Sequence, residues 1–352
     1  MRWTCLILGG LLALLPPQAT SQESPPAAEN LLTRLLDQCD IHPPIAAGRL
    51  TFFPVSRRGG SLPAMLTMAE AIDRGHLRVE ELDAPEVERA RFVNRGETPI
   101  FLMAGEVITG GRQNRTLAGD AIVGPRSSAV LPLYCVQKGR WTGGKDFDGP
   151  PLVAPQAVRE RAAQKAGQDE VWSEVARANA RLGAAPADGD LSVAIRRPEN
   201  ARRLDELCRQ VEARLPASAI GVVVACEGTI VGADLFGSSD LMARMRRKVL
   251  HSHFSQYGLD GGSARGVDQL EVRRYLQGCY QAQLALDQAR GAGEGYVIRG
   301  TRTGALLALR YMPEGSPLER VRADTYVVHV ALMQPVIPVR PMPMPVPVRP
   351  MR

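Results

Sequence analysis

Two periods of apolar residues alternate along this chain, and they predict most of its elements. Apolar and β-branched residues at 50–55 read as a strand that ends in the Arg57-Arg58-Gly59-Gly60 turn. Leu62, Met65, Leu66, Ala69 and Ile72 recur at helical spacing, with Gly75 placed to end that helix. Segments 77–82, 87–94, 99–108, 121–123 and 128–136 read as strands separated by turn residues. From 156 to 182 the period becomes helical, with a break expected at Gly167 and a loop at 183–190. Leu204, Leu207, Cys208, Val211 and Leu215 line one face of a helix stopped by Pro216. Residues 219–225 and 229–235 flank Cys226-Glu227-Gly228 as a hairpin. Helices are expected at 31–36, 240–254 and 267–288, and closing strands at 295–299, 305–311 and 326–332. The pattern predicts one large α+β domain of mixed or antiparallel sheet with several flanking helices, over about residues 45–334.

The ends of the chain do not fit that pattern. Arg2, the apolar run 5–15 and the small residues Ala19-Thr20-Ser21 resemble a secretory signal, so residues 1–21 are expected to be removed and the protein exported to a periplasmic or extracellular space. The apolar run is short for a membrane span, and no later segment reaches that length. Residues 22–44 read as a flexible leader with a short helix. At 335–352 seven prolines alternate with Val, Met and Arg, predicting an extended tail that could dock an envelope partner.

Composition narrows the chemistry. The apolar content of 45% with 23% charged suits a folded globular protein, and the 34 glycines and 27 prolines predict many turns. The net charge is +6, but the basic residues are scattered without an aromatic-interleaved stripe, so nucleic acid is not an expected partner. Cys39, Cys135, Cys208, Cys226 and Cys279 remain after the signal, an odd number without a C-x-x-C pair, and their pairing is not readable. His251 and His253, two apart on a helix, point away from each other and cannot share an ion, while His42, His76 and His329 lack ligand-spaced neighbours. No metal and no cofactor is expected. A phosphate loop, a dinucleotide fingerprint and a nucleophile elbow are all missing.

The richest chemistry lies at 101–115, where an apolar run gives way to Gly105-Glu106 and then Gly110-Gly111-Arg112-Gln113-Asn114-Arg115. Glu106 is a candidate general base or ribose-hydroxyl acceptor, with an ion pair to Arg112 or Arg115 as the structural alternative. Arg112 and Arg115 offer forked donors to phosphate, and Gln113 and Asn114 offer amides to a base or sugar edge. In an extended segment Arg112 and Asn114 would share one face, Gln113 and Arg115 the other. Cys135 reads as a buried thiol rather than a nucleophile. Arg140 and Trp141 sit on a glycine-flanked loop and could stack on a base or sugar or else pack over the sheet, and Gln168 and Trp172 share a helix face that could close a site or cap the core. A ligand site predicts that Glu106, Arg115 and Trp141 converge on an open pocket; a structural block predicts that their polar atoms are satisfied internally.

Gly105-Glu106, Gly110 to Arg115, Cys135 with Gly139-Arg140-Trp141, Gln168 with Val171-Trp172, Gly221 to Val224, Asp234-Leu235-Phe236, Gly291 to Gly295, Gly304 to Leu307 and Val328-His329-Val330 together resemble the ARG-and-rhodanese-phosphatase-superfamily-associated protein domain. That is a bacterial domain of unestablished biochemical function, where ARG stands for ADP-ribosylglycohydrolase. The resemblance covers roughly residues 45–335 and implies a role near ADP-ribose or another nucleotide-derived, anionic small molecule, either bound or processed. The other reading is a non-catalytic envelope protein with a docking tail.

Overall fold

The computed structural model describes residues 31–59, 62–259, 264, 266–309 and 326–333. The expected signal, the leader at 22–30 and the Pro/Arg tail lie outside them.

The predicted α+β class is what the chain adopts. Its frame is a nine-stranded antiparallel sheet in the order Cys39–Ile41, Leu50–Arg57, Ala219–Cys226, Thr229–Phe236, Val327–Met333, Thr303–Leu309, Gly293–Arg299, Gln283–Arg290, with Ile45–Ala47 also paired to Leu50–Arg57. The middle strands read as unbroken apolar runs because both faces are covered. Phe53, Val55, Val223, Ala225 and Leu235 face the helices Leu31–Leu36 and Gln269–Gln277, while Phe52, Val222, Val224 and Phe236 face Pro198–Glu212 and Ser239–Tyr257.

Against this frame stand a six-stranded sheet, in the order Gly149–Val153, Glu106–Thr109, Arg115–Leu117, Ser128–Cys135, Arg89–Asn94, Leu77–Glu80, and a three-stranded one built from Ala121–Val123, Ile100–Leu102 and Leu66–Thr67. The two share a core of Leu66, Met68, Val79, Phe92, Leu102, Ile108, Leu117, Val123 and Leu131. Helices Gln156–Ala163, Gln168–Arg181 and Leu191–Arg196 pack on Val107 and Val136. Among the described residues no helix is long and apolar enough to cross a membrane.

Three expectations are corrected. The helix expected over 62–72 is only Met68–Asp73, because Thr67 starts it with a reciprocal capping box to Glu70 while Leu66–Thr67 pairs as strand. The strand expected at 99–108 is two, since Met103–Gly105 turns the chain and Gly105 adopts φ +83°. The segment 267–288 is helical only to Gln277, after which Gln283–Arg290 pairs with Gly293–Arg299. The loop expected at 183–190 is present, and a helix that was not expected, Leu191–Arg196, follows it, capped by Asp190. Residues 310 and 311, the end of an expected strand, lie outside the described residues.

Candidate functional site

Two glycines shape the polar block. Gly110 (φ +113°) and Gly111 (φ +53°) let the backbone turn beside Asp146, Phe147 and Glu81; a Cβ on Gly111 would lie 2.6 Å from the Phe147 ring. Because residues 110–114 turn instead of extending, the faces differ from the two-residue alternation expected. Arg112 and Arg115 both approach Trp141, with guanidinium carbons 5.6 and 5.8 Å from its ring centre, while Gln113 turns to Cys135 and Asn114 to Asp190.

Most of the block is satisfied from within. Arg115 is fully buried and donates from Nη2 to both carboxylate oxygens of Glu81 at 2.7 and 2.8 Å, and from Nη1 to the Arg89 carbonyl. Asn114 donates to Asp190 (2.9 Å) and Ser192 and accepts from the Gly110 N–H and from Arg140. Arg140 donates to the carbonyls of Gly110, Gly111 and Thr142 and to Gln137. Gln168 lies in a two-bond clamp on the Cys135 backbone, accepting its N–H and donating to its carbonyl. Gln113 accepts from the Cys135 thiol, which burial pushes up toward the neutral form, so Cys135 is an inert packing group. Lys138 lies over the Trp172 ring at 4.5 Å.

Glu106 has a different partner from those its sequence neighbours suggested. Its fully buried carboxylate accepts from the Met103 N–H at 2.7 Å and from Lys248, on the helix Ser239–Tyr257. Neither Arg112 nor Arg115 pairs with it, because both turn away at Gly110-Gly111. Two groups of the block face outward: Trp141, 42% exposed, and the half-buried Arg112, whose guanidinium has no ion pair among the described residues.

A second cluster lies deeper. Asp234 and His329 stand on neighbouring strands, with Phe236 directly opposite His329, so all three share one face. Asp234 accepts from Arg159 at 2.8 Å, and His253 Nε2 stands 3.1 Å from its other oxygen. His329 Nδ1 lies 2.7 Å from Asp120, and its Nε2 is 3.2 Å from Asp234, at ion-pair distance but off the line of a hydrogen bond. The His329 ring stacks on Phe236 at 4.4 Å. Arg159 and Asp120 then grip the two sides of one peptide residue: Arg159 donates to the Ala104 carbonyl and Asp120 accepts the Ala104 N–H.

Burial alone would raise the Asp234 carboxyl, but Arg159, His253 and His329 hold it well below the usual range; Asp120 is held low in the same way by His329. Burial would lower His329, yet Asp120 and Asp234 outweigh it and raise it to about 9. His253, with one carboxylate contact, is lowered by burial. Glu160, on the same helix as Arg159, is pushed up by burial to about 8.

The sequence reading did not bring these residues together. The available signal was a lone Asp in Val231-Gly-Ala-Asp-Leu-Phe236 and a lone His in Val327-Val-His-Val330, each a single charge in an apolar strand. His251 and His253 do point apart, toward Asp205 and Asp234 respectively, and among the described residues no group of three or more acids, histidines and cysteines is arranged to hold a metal. A cleft of about 340 Å³ opens elsewhere, between Leu62–Met65 and the start of the Ser239–Tyr257 helix; its Arg244 is committed to Glu70, Asp240 and the Met65 carbonyl.

The ARG and Rhodanese-Phosphatase-superfamily-associated Protein domain, ARPP-1, matches residues 38–332. The chain belongs to this family. Neither a curated protein nor a solved structure matches it. The ARPP-1 match spans both clusters, and three of the segments that carry the resemblance, at Gly105, Asp234 and His329, meet in the buried one.

Proposed function

We propose that this ARPP-1 protein is an exported binding module, rather than an enzyme, for an anionic ligand of the nucleotide or ADP-ribose kind, recognised at the Arg112–Trp141 surface. The observation that supports it is the pairing of an exposed indole with an arginine that has no acidic partner among the described residues. An aromatic face accepts a base or sugar ring, and a forked, uncommitted cation accepts phosphate. Asn114, Arg140 and Gln168 serve as the platform beneath, since their donors are already engaged, and Arg115 joins it through its Glu81 and Arg89 contacts. Glu106, buried against Met103 and Lys248, is a structural anion under this reading and not a general base. Export rests on the signal-like residues 1–21, and the Pro/Arg tail at 335–352 is a second point of attachment to an envelope partner.

The test is a thermal-shift and tryptophan-fluorescence titration of ADP-ribose, mononucleotides and sugar phosphates against wild type, Arg112→Ala and Trp141→Ala. A saturable shift in wild type that weakens about tenfold or more in either variant is expected, equivalent to about 1.4 kcal/mol. No shift in wild type, or equal affinity in all three proteins, removes the ligand reading and leaves the surface to a macromolecular envelope partner.

A further inference from the structure

We propose that the nine-stranded sheet is completed by the protein's own Pro-rich tail, with residues 341–348 docking as an added outer strand on Gln283–Arg290. The two ends of the sheet differ. One is the three-residue strand Cys39–Ile41; the other is the eight-residue Gln283–Arg290, outside which no further strand pairs among the described residues. Neither proline nor lysine interrupts that second edge, Leu286 on it is 62% exposed, and Tyr280 just before it is 40% exposed. A long apolar edge of this kind pairs with whatever extended chain reaches it.

The tail carries the pattern of a strand that can pair on one side only. Its prolines come first at every third position, Pro335, Pro338 and Pro341, and then at every second, Pro341, Pro343, Pro345 and Pro347. Three is the period of a polyproline-II spacer, whereas two is the period of a β-strand. In a strand, alternate residues direct their N–H and C=O groups to the same edge. Met342, Met344, Val346 and Val348 therefore keep their donors on one edge, while the prolines supply none on the other. Each proline also holds the residue before it in the extended region. Docked by its Met/Val edge, the segment turns a donor-free proline edge to solvent and ends the sheet.

Reach and direction agree. Met333 pairs with Thr303, Gly304 with Ile298 and Arg299 with Gln283, so the chain leaves the sheet in the row where Gln283–Arg290 begins. From Met333 to a position outside Gln283 is four strand spacings, about 19 Å. Residues 334–340 span about 22 Å as polyproline II. The eight residues 341–348 then run parallel to the eight of Gln283–Arg290. Arg349 and Arg352 lie past the docked strand, which leaves them to meet an envelope partner.

The test is residue-resolved amide exchange in the full-length chain. Within residues 283–286, alternate amides bond to Gly293–Arg299 and serve as the folding control, while the intervening ones face outward. Both sets are expected to be protected in the wild type. Met344→Pro with Val346→Pro removes two pairing N–H groups and should speed exchange of the outward set by about tenfold or more, with the control set unchanged. Pro343→Ala with Pro345→Ala alters only the outer edge and should leave both sets protected. Outward amides that exchange freely in the wild type, equal protection in the Met344→Pro/Val346→Pro protein, loss of it in the Pro343→Ala/Pro345→Ala protein, or protection that light scattering ties to a dimer would each overturn the docked tail.

Discussion

An added Cβ at Gly105 would lie 1.9 Å from Cγ of Arg159, and φ of +83° is a region that side chains other than glycine rarely adopt. The stem of Arg159 crosses the turn at that point because its head is fixed by Asp234 and Ala104, so neither partner can move aside cheaply. Gly105→Ala should therefore destabilise the domain by about 3 kcal/mol or more, read as a lowered urea midpoint at unchanged slope. Arg115 gives a second test. Arg115→Met strands the buried Glu81 carboxylate and should cost about 3–5 kcal/mol, whereas Arg115→Met combined with Glu81→Gln should recover a large part of it in a double-mutant cycle. The sequence marked Gly105, Glu106 and Arg115 as unusual because glycines and charges interrupt an apolar run. It could not name their partners: Glu81 is 34 residues from Arg115 and Lys248 is 142 from Glu106, and nothing local encodes such pairings.

Elements were legible where period, cap and length agreed. The Ala219–Cys226 and Thr229–Phe236 hairpin announced itself through two β-branched runs and a turn whose Glu227 (φ 49°) and Gly228 (φ 87°) both take positive φ. Gly167 likewise marked the start of Gln168–Arg181. Strands of three residues, such as Arg115–Leu117 and Ile45–Ala47, are too short to show a period and exist only through their neighbours. Gln283–Arg290 has a weak strand composition and forms by pairing along Gly293–Arg299, where tertiary context overrides propensity. At Met68–Asp73 the apolar spacing suggested a longer helix, but the Thr67 and Glu70 side chains satisfy each other's backbone N–H groups and fix the start. Thr67→Ala should cost about 1 kcal/mol by chemical denaturation, with Thr67→Ser close to wild type.

Across the whole molecule, the buried ionisable groups set a stability profile skewed to the acid side of neutral. Asp120 and Asp234 titrate below their unfolded value of 3.8, so their contribution is present above that pH and is lost as pH falls. His329 titrates above its unfolded 6.5, so its contribution is complete below 6.5 and is lost as pH rises through about 9. Glu160 acts in the same direction for a different reason. Its carboxyl, raised from 4.5 to about 8 by burial, binds its proton more tightly in the folded chain than in the unfolded one, so stability falls as pH climbs through that window. Gln156 already donates to Glu160 Oε1, and an amide at position 160 can accept the same bond without a charge to bury. Glu160→Gln should then leave stability near pH 5 almost unchanged and raise it at pH 8.5 by a few kcal/mol relative to wild type. The residual decline between pH 6.5 and about 9 in the variant belongs to His329, so urea midpoints at pH 5, 7 and 8.5 separate the two groups; parallel profiles for the two proteins would show that Glu160 is ionised in the fold and that the alkaline slope arises elsewhere.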